Sequence, residues 1–331
     1  MMKKLLIILI FIAAAGKAKA QDFHLSMYDA APLFLNPAMT GLFEGKWRIH
    51  GQYRTQWKSV NFKPYTTGLI SFDRAHGKWG FGLQATNLRA GAGNYNVFEG
   101  LASVSYCLPL TQNKHHNLSF GLQAGAKQKS IEYQLLTFDN QYSTDNGGTF
   151  YNTLSTNEDF GAQRRILPVT NAGLLYFYAK QQSRLNPFIG ISTFNLLQPD
   201  ESFLKQDNER LPIRTFVHLG TRVNITESFY LIPKVLIMNQ QDFYEETFAL
   251  DAGYFLKGSE LYLLGGLVYR NQDAMVLSIG ARMDNFIAKI AYDINTSSLS
   301  LASTGRGGFE LSFTYMKTNP KAPSSKICPR L

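Results

Sequence analysis

The chain has 331 residues, 45% of them hydrophobic and 13% aromatic, and a formal net charge of +9. No run of lysine and arginine concentrates this charge, so the composition argues against a nucleic-acid-binding protein. The two cysteines, Cys107 and Cys328, exclude a disulfide-rich scaffold and a zinc site but leave open a single disulfide between them.

The first 20 residues have the order of a secretory signal peptide. Lys3 and Lys4 precede the apolar run Leu5–Ala15, and a small-x-small cleavage site ends at Ala20. This run is too short to span a bilayer, and no later stretch of about 18 apolar residues follows it. We therefore predict export and cleavage before Gln21, which removes four lysines and no acid and lowers the net charge from +9 to +5.

Residues 21–44 precede the first predicted strand. Asn36-Pro37 is a turn signal, and Phe34, Leu35 and Met39 are apolar anchors. We predict a periplasmic segment that caps or plugs the mouth of the following domain, with Asn36 and Pro37 as candidate partner-binding residues. The alternative is a loose leader, because chain termini fray unless they are docked.

From Trp47 onward, hydrophobic and polar residues alternate with the period of a β-strand. Trp47, Ile49 and Tyr53 share one face, and Arg48 and Arg54 lie on the other. Runs of this kind predict about 14 strands, near 45–57, 65–73, 78–89, 95–107, 117–129, 166–180, 185–196, 211–224, 228–239, 245–256, 259–271, 273–284, 285–295 and 306–317.

Strands of this length favour a membrane-spanning structure. In lipid, every backbone N–H and C=O group must be hydrogen-bonded within the protein, and besides an apolar helix a closed β-barrel achieves this. A soluble β-sandwich also alternates, but its strands would be nearer five or six residues. The predicted fold is therefore all-β, a transmembrane antiparallel outer-membrane β-barrel over residues 45–317. Its candidate lumen-facing residues are Arg48, Arg54, Arg222, Arg270, Arg282, Lys289, Asp293 and Glu310.

The connections predict the orientation of the barrel. Those near 76, 181, 224, 258 and 284 are tight, whereas those at 130–165, 197–210, 240–244 and 296–305 are longer. Short turns of outer-membrane barrels face the periplasm and long loops face outside. Since an even number of strands brings both ends to one side, we expect both termini to be periplasmic.

Residue patterns indicate no enzyme, cofactor or metal site. The six histidines lie outside recognised catalytic or metal motifs, and His115 and His116 would face opposite sides of a strand. His50 and His218 could face the lumen, which leaves a barrel hydrolase as a weak alternative without a matched serine or acid. A solute channel is a further alternative, because inward arginines would favour anions.

The last segment, 318–331, carries Lys321, Lys326 and Arg330 but no acid, and its three prolines oppose a regular helix or strand. We expect a periplasmic tail whose candidate partner-binding residues are Cys328, Pro329 and Arg330. It would dock on a periplasmic subunit or fold back near Cys107, and the alternative is a disordered remnant.

Several motifs resemble one known family across the mature chain. The opening "QDFHLSMYDAAPLFLNPAMTG" is similar to the "QDPxFSQYMxNPLYxNPAxAG" opening of the PorP/SprF membrane proteins of the type IX secretion system. The other matches are "RTQW" at 54–57, "YRNQDA" at 269–274, "AYDINTSSLS" at 291–300, "GGFELSFTY" at 307–315 and "CPRL" at 328–331.

The resemblance implies an outer-membrane barrel of Bacteroidetes that serves protein export, adhesin retention or gliding motility. The implied partners are periplasmic and outer-membrane subunits of the secretion machinery, a secreted or adhesin-like client protein, and outer-membrane lipid. Leu331 departs from the family, which usually has Phe at this position, and this leaves the particular client open.

Overall fold

The computed structural model describes residues 24–57, 63–91, 93–144, 148–151, 153–180, 183–205, 209–297, 303 and 305–317. The signal peptide and the tail predicted from sequence lie outside these residues. Within them, fourteen strands form one closed barrel and two short strands form a separate hairpin.

The barrel strands agree closely with the alternating runs. They are β1 Trp47–Gln56, β2 Tyr65–His76, β3 Trp79–Ala90, β4 Tyr95–Pro109, β5 His116–Ser130, β8 Arg164–Tyr178, β9 Leu185–Phe194, β10 Arg214–Asn224, β11 Phe229–Gln240, β12 Phe243–Leu256, β13 Leu261–Arg270, β14 Ala274–Met283, β15 Phe286–Asn295 and β16 Arg306–Lys317. The hairpin strands, β6 Tyr142–Ser143 and β7 Thr149–Phe150, lie in the connection between β5 and β8.

All neighbouring barrel strands are antiparallel, and the last strand closes the barrel on the first. In this closure Lys317 of β16 pairs with Trp47 of β1, and Gly308 pairs with Gln56. Closure leaves no strand edge unpaired in the barrel, as a lipid environment requires. The predicted antiparallel barrel of about 14 strands is confirmed.

Burial shows which face of each strand points outward. In β14, Leu277 and Ile279 are 54% and 64% exposed, whereas Val276 and Ser278 are 0% and 7% exposed. Exposed leucine, isoleucine and aromatic side chains recur at alternate positions of most other strands, which is the pattern of a lipid-facing surface. The inward residues are mostly polar.

The barrel has two different ends. At the end called here the short-turn end, β1 begins, β16 ends, and connections such as 77–78 and 284–285 have two residues. At the opposite, long-loop end lie the connections 131–163, 195–213 and 296–305. The connection expected to be longer at 240–244 is instead the two-residue turn Gln241-Asp242, because β11 and β12 continue pairing as far as Gln240 and Phe243.

Residues 24–43, called here the inner segment, lie inside the barrel. They form two short 3-10 turns, Tyr28–Ala30 and Pro37–Met39, on either side of a helix, Pro32–Leu35. Their apolar side chains, including Phe34, pack on inward residues of the wall such as Phe216. The hydrophobic core of this barrel therefore lies between its wall and its own N-terminal residues.

Candidate functional site

The interface between the inner segment and the barrel wall is the candidate functional site. At its centre, Asn36 is completely buried. Its Nδ2 donates to the carbonyl oxygens of Leu174 at 3.1 Å and Ile191 at 3.3 Å, and it lies 3.1 Å from Nε2 of His218. Its Oδ1 accepts from the backbone N–H of Ala38, which caps the 3-10 turn at Pro37. One side chain thus joins the segment to three wall strands.

Glycines on the wall allow this close approach. A Cβ atom on Gly121 of β5 would lie 2.2 Å from the backbone of Pro37 and of Ala38. One on Gly173 of β8 would lie 2.0 Å from Oδ1 of Asn36. Real side chains do not tolerate such distances, so the wall needs glycine where the segment presses against it.

Wall serines bind the segment's backbone. Ser119 and Ser192 donate to the carbonyl oxygens of Ala38 and Leu35, each at 2.7 Å, and Ser105 donates to that of Thr40 at 2.5 Å. These bonds satisfy backbone acceptors that would otherwise be buried without partners. The short turns of the segment are therefore compatible with its burial.

An ionic cluster fixes the beginning of the inner segment near the long-loop end. Glu310 is completely buried and accepts the backbone N–H groups of Ser26 at 2.8 Å and Met27 at 2.9 Å. Arg54 lies 3.4 Å from Glu310 and 2.7 Å from Asp293, whose carboxylate also accepts from the Ser26 hydroxyl at 2.7 Å. The segment thus supplies hydrogen bonds that buried wall carboxylates need.

A second ionic cluster holds the middle of the segment. The ammonium of Lys234 lies 2.6 Å from Asp29 of the segment and 2.8 Å from Asp251 of the wall, and Lys289 lies 3.5 Å from Asp251. Burial alone would raise the pKa of Asp29, but the ammonium of Lys234, assisted by Lys289, outweighs it and holds that pKa well below its usual range. Asp29 is therefore a carboxylate at neutral pH.

His24 is the first described residue and lies beside the first ionic cluster. Its Nε2 is 3.5 Å from Arg54, and its Nδ1 is 3.8 Å from Glu245. Burial, reinforced by Arg270, Arg54 and Arg214, lowers the pKa of His24 well below its usual value. The ring is therefore neutral at neutral pH, which avoids a further cation among the arginines.

The remaining lumen-facing candidates are four arginines that make different contacts. Arg48 makes a two-pronged pair with Asp73, with bonds of 2.9 and 2.8 Å, and Asp73 also accepts the backbone N–H of Gly41. Arg270 joins the first cluster, 3.2 Å from Asp293. Arg222 and Arg282 lie over aromatic rings, Arg222 at 3.7 Å from Tyr230 and Arg282 at 5.9 Å from Tyr262.

The partner-binding candidates divide between the interior and the tail. Asn36 and Pro37 are buried against the wall, so they are not on an outer surface of this conformation. Cys328, Pro329 and Arg330 lie outside the described residues. Sequence reasoning missed Ser26, Asp29 and Lys234, although the strand period that singled out inward arginines also places Lys234 inward.

Cavities remain at both ends of the inner segment. At the long-loop end, a cavity of about 600 Å³ is bounded by His24, Phe34, Trp57 and Tyr95. At the short-turn end, one cavity of about 150 Å³ includes Arg222 and Arg282, and another of about 290 Å³ includes Cys107. The interior is thus divided by the segment into spaces at opposite ends.

Two kinds of feature are absent from the described residues. Across the described ranges, no group of three histidine, cysteine, aspartate or glutamate residues has the geometry to hold a metal ion. None of the helices in the described part of the chain is long and apolar enough to cross a membrane.

Fold and surface define an outer-membrane β-barrel that contains its own N-terminal residues. A sequence profile of the type IX secretion system membrane protein PorP/SprF matches residues 17–315, which is most of the chain. The chain belongs to the PorP/SprF family, so the resemblance noted in its motifs is confirmed. Curated proteins gave no match.

Solved barrels of low sequence identity share the fold. The Ralstonia pickettii toluene transporter TbuX matches with a TM-score of 0.50 and 12% identity over 87% of this chain and 94% of its own. The deltaS2 mutant of the TodX monoaromatic hydrocarbon channel matches with a TM-score of 0.50 and 12% identity over 88% of this chain and 94% of its own. At this identity the likeness concerns the fold alone.

Proposed function

We propose that this protein is an outer-membrane component of the type IX secretion or gliding machinery that assists the export or surface retention of specific client proteins. Family membership over residues 17–315 is the observation that carries the proposal. The protein acts by binding machinery subunits and clients in the membrane, and its own chain catalyses no reaction.

The position of the inner segment favours a role as a scaffold for other proteins over a role as a channel through which clients pass. It contacts opposite parts of the wall, from Glu310 of β16 to Ser119 of β5 and His218 of β10. Its apolar side chains pack into the same interior. A client chain would have to displace these contacts to pass, so we propose that the segment plugs the lumen and that clients travel beside the barrel.

Two surfaces would then serve two kinds of partner. The short-turn end, where β1 begins and β16 ends, faces the periplasm, following the usual orientation of outer-membrane barrels. The tail after Lys317 would leave at this end and would provide a binding site for a periplasmic subunit. The long connections 131–163 and 195–213 would face outward and meet the client.

Tail truncation tests this arrangement. Deleting residues 321–331 should leave a heat-modifiable barrel in the outer membrane but abolish both recovery of machinery subunits and surface display of the client. Replacing the same residues with a glycine-serine segment of equal length is the control for length, and it should fail in the same way. Normal partner recovery and client display with either variant would contradict a binding role for the tail.

Transport of a hydrophobic compound or another solute is the second candidate function. Its support is the fold shared with TbuX, which is itself a toluene transporter, and the cavities at the two ends of the segment. Liposome swelling separates the two functions. Rapid, size-graded entry of solutes through the unmodified protein would favour a channel, whereas no swelling above that of empty liposomes supports the plugged scaffold.

A further inference from the structure

The cavity of about 290 Å³ at the short-turn end, called here the mouth pocket, is lined mainly by apolar side chains. Leu42 and Phe43 of the chain leading out of the lumen form one side, and Phe177 and Pro109 belong to the opposite wall. Lys78 and Lys114, from the turns after β2 and β4, stand at its rim. Such a pocket suits a short apolar peptide segment that approaches from the short-turn end.

Cys107 lies on the inward face of the wall at this pocket. In β4 the inward residues alternate, and Ser103 and Ser105, which contact Thr40, are two members of the same row. Cys107 follows Ser105 by two residues, so its side chain points toward the same side of the sheet. Its thiol is therefore beside the mouth pocket and within reach of whatever occupies it.

The end of β16 lies close to the same pocket. The carbonyl oxygen of Lys317 accepts the backbone N–H of Lys46 at 2.7 Å, only three residues beyond Phe43 of the pocket wall. The register runs from Lys317 through Trp47, Arg74 and Phe81 to Val104, which precedes Cys107 by three residues on β4. Four strand spacings and three residues along a strand amount to roughly 22 Å in the flattened sheet.

The chain beyond Lys317 is long enough to return to this point. Cys328 follows Lys317 by 11 residues, and an extended chain of that length spans up to about 37 Å. The segment at 327–331, Ile-Cys-Pro-Arg-Leu, has apolar side chains on both sides of its cysteine. Lys326 and Arg330 have the same sign as the lysines at the rim, which opposes docking by a repulsion that salt reduces.

We propose that residues 327–331 occupy the mouth pocket and that Cys328 forms a disulfide with Cys107. The two thiols lose two protons and two electrons as the sulfur–sulfur bond forms. A periplasmic thiol–disulfide oxidoreductase accepts the electrons, and its own disulfide becomes two thiols through a mixed-disulfide intermediate. Export to an oxidising compartment makes this oxidation available to the mature chain.

The bond would convert the tail into a closed loop at the short-turn end. Residues 318–326 would be held at one end by β16 and at the other by Cys107 of β4. Fixing both ends removes conformations from the unbound loop, so the loop loses less conformational entropy when a partner binds it. The loop would present Lys321 and Lys326 as a basic surface to a periplasmic partner.

Peptide mapping of the full-length protein tests the bond directly. Free thiols are blocked with N-ethylmaleimide in intact cells, and the barrel is then purified without reductant, digested and analysed by mass spectrometry. We expect a peptide pair linked through Cys107 and Cys328 as the main form, released by reductant. The proposal would be overturned if each cysteine carried its own N-ethylmaleimide group, or if the link joined two copies of the protein in a reducible dimer.

Moving the cysteine distinguishes seating in the pocket from mere proximity. The double variant Ser325→Cys with Cys328→Ser keeps a cysteine on the tail, three residues nearer β16 and outside the apolar segment. This cysteine lies eight residues beyond Lys317, so an extended chain still spans up to about 27 Å. The variant should form less than a tenth of the linked product under the same conditions, while heat-modifiable migration confirms an assembled barrel. Equal linkage in both proteins would mean that the pocket does not select residues 327–331. Neither readout depends on secretion, so this test and that of the proposed function can fail separately.

Discussion

Replacing Gly121 with valine perturbs the point where the inner segment rests on the barrel wall. The first added carbon would lie 2.2 Å from the backbone of Pro37 and of Ala38, and neither neighbour is the flexible end of a side chain. Carbon contacts are normally near 3.5 Å, so the segment would have to move by roughly 1.3 Å or leave. The barrel strands themselves need not separate, since the added side chain points into the lumen.

The cost follows from two parts of the contact. Overpacking a tight interior costs about 1–3 kcal/mol, and loss of the 2.7 Å bond from Ser119 to Ala38 adds about 0.5–1.5 kcal/mol. A total of about 3 kcal/mol lowers the ratio of docked to undocked segment roughly a hundredfold. We therefore expect Gly121→Val to assemble as a barrel while its inner segment becomes sensitive to protease.

The assay compares proteolysis of the segment and solute entry into liposomes for matched proteins. Gly51→Val is the control, because a Cβ at Gly51 meets no heavy atom within 4 Å. It should behave as the unmodified protein, whereas Gly121→Val should be cleaved between residues 24 and 43 and should admit solutes. Equal protection and equal permeability of the two variants would refute the close packing of segment and wall.

Three further predictions have defined outcomes. Leu277→Arg should impair membrane insertion by about 2–4 kcal/mol near the bilayer midplane, and Ser278→Ala on the inward face should be milder; equal loss in folding assays would contradict the assigned faces. Glu310→Gln removes one of the two carboxylates beside Arg54 and weakens the bonds from Ser26 and Met27. A hydrogen bond to a charged group contributes about 1.5–3 kcal/mol, so the heat-modification midpoint should fall. Lys234→Met leaves the carboxylate of Asp29 without its cation and should expose the segment to protease, whereas Lys234→Arg should retain most of the protection.

The strands could be predicted because their signal is local. Alternation places Leu277 and Ser278 on opposite faces whatever surrounds them, and the structure has β14 where this pattern predicts it. Alternation defines strand ends poorly where the sequence stays polar. The turn at Gln241-Asp242 is shorter than expected because strand pairing continues through neighbouring polar residues.

The contacts of the inner segment could not be derived in the same way. Phe34 and Leu35 indicate an apolar face, but the sequence does not show which wall residues pack against it. Nothing in the sequence distinguishes Gly121 and Gly173 from other glycines in strands. They matter because they lie against Pro37 and Asn36, which are more than 80 residues away in the chain. Buried pairs such as Arg54 with Asp293 are likewise set by the closure of the barrel.

The most direct test of the central proposal compares the cell-surface proteins of a parent strain, a strain in which the gene is deleted, and the deletion strain carrying the full-length gene. If the protein assists specific clients of type IX secretion, one or a few exported proteins should disappear from the surface and accumulate in the periplasm. The rest of the outer membrane should be unchanged, and the full-length gene should restore display. An unchanged set of surface proteins, together with reduced uptake of a hydrophobic compound, would contradict this account and favour a transporter.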